Sequence, residues 1–294
     1  MSSCSALSGA AGEPPAGTAA VAATWLCLEQ PGPWGPDALT QSHLDRGLGA
    51  ELAARATGTG VRIVLIRRPG RHPDRRLPAL RRVYLAHTAP GRSFLRAALL
   101  ADPKLLLDLD FTAAGAGSPA GFGGAVDQRL LLVCTNGRRD VCCAVAGRPL
   151  AQELADTHDH DLVWEATHLG GHRFAPTALL LPTGYAYARV DTALGATILT
   201  ETGVVRERCR GRSTYPPPAQ VADLAVRQLT NTLDPDALHV RAPVREEDGW
   251  HIAVAHTDGR AWRVTVTEHH RQARPVSCDA APAPVTEHVV TRID

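Results

Sequence analysis

Two cysteines nine positions apart and two histidines four apart, Cys134, Cys143, His168 and His172, constrain this chain more than any other feature. They lie in VCTNGRRDVCC and, further on, in THLGGH. For one centre to engage all four, a strand end, a helix start and a glycine loop must meet. RLLLVCTNG reads as a buried strand that Cys134 leaves. DVCCAVAGRPLAQELADT reads as a helix with Asp140 as its cap and Cys143 in its first turn, where the helix N-terminus favours a thiolate. The His168–His172 spacing is that of helical ligands, yet each of the two glycines between them would cost a helix interior about 1 kcal/mol. The segment is therefore expected to be a loop at a strand end, with Gly170 and Gly171 at positive φ.

Thiolates combined with imidazoles suit zinc or an iron–sulfur cluster far better than magnesium or calcium. Zinc accepts two Cys and two His tetrahedrally, although the eight residues between Cys134 and Cys143 exceed the short Cys spacing usual for it. That reading gives a zinc-stabilised binding protein without redox activity. A third reading, a thiol oxidoreductase working through Cys142 and Cys143, lacks the two-residue gap of a C-x-x-C motif. Adjacent helical residues point about 100° apart, so only one of Cys142 and Cys143 faces a shared centre.

Around this region the chain alternates strands and helices, an α/β pattern. Residues 1–16 are small and polar and are expected to be mobile. An N-terminal α/β domain is expected over 17–111, with TAAVAATWLCLE, VRIVLIRR and RRVYLAH as strands, ALTQSHLDRGLGAELAAR as a helix and SFLRAALL as another helix. The stretch 112–124, TAAGAGSPAGFGG, has few side chains to pack and reads as a linker. Residues 125–233 hold strand, helix, strand (DLVWEATH) and a hairpin turning at Pro182–Gly184, the order of a thioredoxin-like unit, closed by the helix PAQVADLAVRQLTNTL. Residues 234–294 form a C-terminal extension with a β-hairpin turning at Thr257–Asp258–Gly259.

With 31 basic and 30 acidic residues, the formal charge is +1 and no global field calls for nucleic acid or a membrane. No apolar run is long enough to span a bilayer, and the N-terminus lacks a charged start followed by an apolar stretch. The seven cysteines form neither a dense nor an even set, so the chain reads as cytoplasmic with reduced thiols. Arg62, Arg67, Arg68, Arg71, Arg75, Arg76, Arg81 and Arg82 concentrate positive charge, read as a solvated loop or as a docking face for an acidic redox partner. No aromatic interleaving or nucleic-acid motif accompanies them. Arg138, Arg139 and Arg173 flank the candidate ligands. His158, His160, His269 and His270 read as surface residues, Cys27 as core, and Cys4, Cys209 and Cys278 as isolated thiols. Neither a phosphate-cradling glycine loop nor a GxSxG elbow is present.

CTNGRRDVCCAVAGRPLAQEL and VWEATHLGGHRFAPTALLLPTGYAYARV resemble the sucrase/ferredoxin-like family of thioredoxin-like ferredoxins. Gly17–Ala19, WLCLEQPGPWG and VRIVLIRR extend the resemblance over most of 17–215. The resemblance implies a [2Fe–2S] cluster with Cys134 and Cys143 on one iron and His168 and His172 on the other. It selects Cys143 and leaves Cys142 a buried neighbour. It further implies an electron carrier or redox-responsive module serving a reductase or acceptor protein, with no substrate of its own. Two thiolates bring the oxidised +2 core to neutrality where four would give −2, so the potential should exceed that of an all-cysteine ferredoxin. Reduction should raise the pKa of the ligand imidazoles and couple a proton to the electron.

Overall fold

The computed structural model describes residues 3–70, 80–119, 121–159, 161–278 and 280–294. It is a mixed α/β arrangement of a ten-stranded sheet, a five-stranded sheet and several helices. Residues 3–16, expected to be mobile, instead begin with helix α1 (Cys4–Ala10), whose Cys4 and Ser8 are buried. Glu13 then anchors the segment through Arg173 at 2.8 Å and Arg274 at 3.0 Å. Composition missed this because the anchoring groups come from distant parts of the chain.

Strand β1 (Thr24–Glu29) leads through helix α2 (Arg46–Ala56), capped by Asp45, to β2 (Val61–Arg67), which lies parallel to it. On the other side of β1, β3 (Arg81–His87) pairs antiparallel, and β4 (Phe94–Leu100) pairs antiparallel to β3. SFLRAALL is thus a strand where a helix is expected. Leu, Ala and Arg favour helices intrinsically, but the open edge of β3 supplies a seven-residue register from Arg81↔Leu100 to His87↔Phe94 that overrides the propensity. Helix α3 (Phe111–Gly115) occupies the start of the expected linker, with Phe111 and Ala114 buried, and the short β5 (Gly124–Ala125) returns to pair with β4.

The order then recurs. Strand β6 (Leu130–Cys134) leads through α4 (Val141–Thr157) to the parallel β7 (Val163–Ala166). Strand β8 (Ala178–Leu181) pairs antiparallel to β6, and β9 (Tyr185–Tyr187) pairs antiparallel to β8 across the expected hairpin. Helix α5 (Thr192–Thr200), edge strand β10 (Cys209–Arg212) and helix α6 (Pro217–Thr230) follow. The neighbours β2-β1-β3-β4 are matched in kind by β7-β6-β8-β9. The two sets join where β2 and β7 pair antiparallel at Ile66↔Ala166 and Arg67↔Glu165. At this seam Arg67 Nε and Nη2 donate to Glu165 Oε2 at 2.8 and 2.6 Å, both side chains nearly buried.

The second sheet contains β11 (Leu238–Val240), β12 (Val244–Glu246), β13 (Gly249–His256), β14 (Ala261–Pro275) and β15 (Pro282–Ile293). Ala219, Ala222 and Val226 of α6 share a core with Ile252, Val254, Val264 and Val266 of this sheet. The β13–β14 hairpin turns at Gly259, at φ 96°. The longer β14–β15 hairpin reaches back, so that Ser277 Oγ and the Cys278 amide donate to Asp140 at 2.9 and 3.0 Å. Among the described residues no helix is long and apolar enough to cross a membrane.

Candidate metal centre

Strand β6 delivers Cys134 to the seam side of the sheet, and α4 packs directly upon its end. A Cβ on Gly147 would stand 2.2 Å from the Cys134 carbonyl oxygen, so only glycine permits this approach. Asp140 caps α4 as expected, its Oδ1 accepting the Cys142 amide at 3.2 Å. Cys143 follows in the first turn. Both Cys134 and Cys143 are 1% exposed. The Cys143 thiol beside it, with His168 adding to the effect, holds the Cys134 thiol well below its ordinary range despite burial, while contact with Cys134 raises Cys143.

The histidine segment is a loop, as its glycines imply: Gly170 and Gly171 take φ 82° and 69°, and a 3-10 turn covers His172–Phe174. A Cβ on Gly171 would lie 2.2 Å from the guanidinium of Arg210. That guanidinium, 1% exposed, is the clamp on the loop: Nη1 donates to the Gly170 carbonyl at 2.9 Å, Nε to Thr18 Oγ1 at 3.1 Å and Nη2 to the Thr18 carbonyl. From β2, Arg62 Nη2 donates to the His168 carbonyl at 3.0 Å. The two imidazoles stand 5.1 Å apart between ring centres. The Nδ1 atoms of both His168 and His172 are buried and have no hydrogen-bond partner. His172 Nε2 lies 3.6 Å from Asp140 Oδ2. Burial lowers the His172 pKa, and Asp140 opposes that shift.

Two thiols and two unpartnered ring nitrogens in this region form a donor set suited to a soft metal centre. Buried polar atoms without partners are costly, and metal ligation would relieve that cost at both rings. The four donors are not gathered within 4.8 Å of one another; among the described residues that is true of Cys4–Asp140–Cys142–Cys278 and of Glu246–Asp248–His251. A cavity of about 310 Å³, lined by Asp37, Arg62, Asn136, Arg139, Thr167 and His168, opens on the His168 side.

Other expectations fare unevenly. Cys27 is core, and His269 and His270 are exposed. His158 is only half-buried, against the Leu154 carbonyl, and His160 lies outside the described residues. Arg71, Arg75 and Arg76 also lie outside them. Of the remaining arginine cluster, Arg62 and Arg67 are structural donors and Arg68 stacks over Trp164 while pairing with Asp161, so these three do not form a free docking face. Cys4 and Cys278, read as isolated thiols, meet Cys142 in space. Arg210 was missed altogether, since an arginine in CRGR carries no signal. Arg62 had one, a charge inside an otherwise apolar strand.

A mixed α/β protein with two buried cysteines and two histidines at one end of a large sheet is the class these features define. A family model described as sucrase/ferredoxin-like matches residues 15–212, and the chain belongs to that family. The match includes all four candidate ligands and both parts of the large sheet, and it ends before α6 and the second sheet. No curated protein and no solved structure matches the chain.

Proposed function

We propose that this chain is a one-electron transfer protein, a carrier or redox-responsive module, holding a [2Fe–2S] cluster through Cys134, Cys143, His168 and His172. The carrying observation is the pair of unpartnered buried Nδ1 atoms set beside two buried thiols. Cys134 and Cys143 would hold one iron and His168 and His172 the other. A donor set spread wider than one tetrahedral shell favours this over a single zinc ion. The strand order β7-β6-β8-β9 with α4 as the crossover supports a thioredoxin-like reading of this half. When bound, such a cluster supplies reversible uptake of one electron.

The chain's own groups do the rest. The Asp140 carboxylate faces His172 Nε2, leaving Nδ1 free to ligate, as carboxylates behind ligand histidines do. Proton uptake on reduction is assigned to the histidine side, beside Asp140. Arg62 and Arg210 hold the loop carbonyls and place positive charge near the Cys134 thiolate. The cavity at His168 is the approach for a redox partner protein. The test is iron, sulfide and zinc content with the visible spectrum of anaerobically purified chain. Two irons and two sulfides per chain with a red-brown colour are expected; a colourless protein that does not take up a cluster on reconstitution would overturn the reading.

A further inference from the structure

Cys4, Cys142, Cys278 and Asp140 converge from three remote segments: α1, the start of α4 and the tip of the β14–β15 hairpin. Cys4 Sγ lies 3.4 Å from Cys142 Sγ and 3.6 Å from Cys278 Sγ. Asp140 Oδ1 is 2.7 Å from Cys142 Sγ and 3.8 Å from Cys4 Sγ. All four donor atoms fall within 4.8 Å of one another, and Cys4, Cys142 and Asp140 are buried. In a tetrahedral zinc shell, with Zn–S about 2.3 Å and Zn–O about 2.0 Å, sulfurs stand about 3.8 Å apart and sulfur and oxygen about 3.5 Å. The cluster already approaches those separations.

Two alternatives explain the grouping less well. A disulfide joins sulfurs about 2.05 Å apart and would leave one of three thiols over. A purely hydrogen-bonded set accounts for the carboxylate, whose Oδ1 accepts the Cys142 amide, but thiols are weak donors and gain little by converging from three segments on an oxygen already served. Asp140 Oδ2 accepts the Ser277 hydroxyl and the Cys278 amide, orienting the carboxylate from behind as ligand carboxylates are oriented. The hairpin that brings Cys278 is exposed along most of its distal length in β14, so its tip depends on this junction and on the Arg274–Glu13 pair.

We propose that Cys4, Asp140, Cys142 and Cys278 form a second, mononuclear metal site that binds a thiophilic divalent cation, zinc, and clasps α1 and the tip of the β14–β15 hairpin onto α4. Cys4 and Cys278 lie outside the family match, so the clasp is an addition to the family scaffold. Zinc binding displaces the thiol protons to solvent and involves no electron transfer. The clasp shares Asp140 with the neighbouring site through His172, so the two sites are adjacent but use separate ligands.

The test is metal analysis and zinc-edge X-ray absorption on the full chain purified anaerobically, alongside Cys278→Ala and Cys4→Ser. One zinc per chain with a shell of three sulfurs at about 2.3 Å and one oxygen at about 2.0 Å is expected. Cys278→Ala, a half-buried turn position, should lose at least tenfold in zinc affinity and keep its iron and sulfide. Failure to bind zinc when it is supplied, or a zinc content indifferent to both variants, would overturn the clasp. So would a shell of two sulfurs and two nitrogens, which places zinc on Cys134, Cys143, His168 and His172. Because iron and zinc are counted separately, loss of the cluster reading leaves the clasp standing, and the reverse holds.

Discussion

The large sheet contains two units of the same order, β1-α2-β2-β3-β4 and β6-α4-β7-β8-β9, and the four candidate ligands all belong to the second. Their helices begin alike, with Asp45 and Asp140 as caps. Three residues past the cap, α2 places Leu48 in a core with Leu44 and Leu52, while α4 places Cys143 beside Cys134. The strand before each helix ends at Glu29 in one unit and at Cys134 in the other. After the parallel strand, β2 runs on to Pro69 where β7 leads to His168. The backbone order therefore offers a strand end, a helix start and a loop at one place, and side chains decide whether that place is filled with hydrocarbon or donors.

The largest effect expected follows from that contrast. Cys134→Ser or Cys143→Ser should abolish iron binding, whereas Leu48→Ala should leave iron per folded chain unchanged and cost about 2–5 kcal/mol of stability. Iron analysis and urea unfolding on the same samples read both; iron lost from Leu48→Ala would break the comparison. Next, replacing His168 and His172 together by Cys should retain a cluster and lower its midpoint potential toward the about −400 mV of all-cysteine ferredoxins, flattening a slope of up to about 59 mV per pH unit. A potential that stays put in protein-film voltammetry would remove the histidines from the ligand set. At the seam, Arg67→Met leaves Glu165 buried and, among the described residues, with the Thr135 hydroxyl at 2.8 Å as its remaining side-chain donor. About 3–5 kcal/mol of destabilisation is expected by chemical denaturation. A smaller loss on Glu165→Gln with Arg67→Met together would show that the uncompensated charge, more than packing, sets the cost.

Much of the second unit was legible because its signals are local. Asp140 capping α4, the hairpin at Pro182–Gly184 and the positive φ of Gly170 and Gly171 are all consequences of a few neighbouring residues. What escaped depends on distant partners. SFLRAALL carries helix formers yet completes a sheet edge, and the small polar segment around Cys4 and Glu13 is ordered by Arg173, Arg189 and Arg274. Arg210 and Cys278 acquire meaning only when the loop after β7 and the hairpin tip are brought to them. The four candidate ligands stood out for the opposite reason: two close pairs of soft donors make a pattern before any folding is considered.

The smallest effect distinguishes the units through one strand pair. The register couples Thr24 with His87 in the first unit and Leu130 with Leu181 at the matching ends of the second. Thr24 Oγ1 donates to the Ala114 carbonyl at 2.8 Å and so accepts from His87 Nδ1, also at 2.8 Å. This leaves His87 Nε2 bare, buried and without a partner, with Gly117 packed against it. Burial, with Arg92 and Arg212 adding, lowers the His87 pKa to about 4. The folded-state value lies below the unfolded one, about 6.5. Between these values the unfolded chain binds more protons, so stability falls as pH drops through the window and is unaffected by this group above it. The full loss is on the order of 3 kcal/mol below pH about 4, and less at pH about 5. His87→Leu, which imports the second unit's choice, should lose that part of the acid limb. Urea midpoints of the parent and the variant should therefore converge, or cross in the variant's favour, as pH falls from about 7 to 5. Parallel curves would show that another group carries the acid sensitivity of this unit.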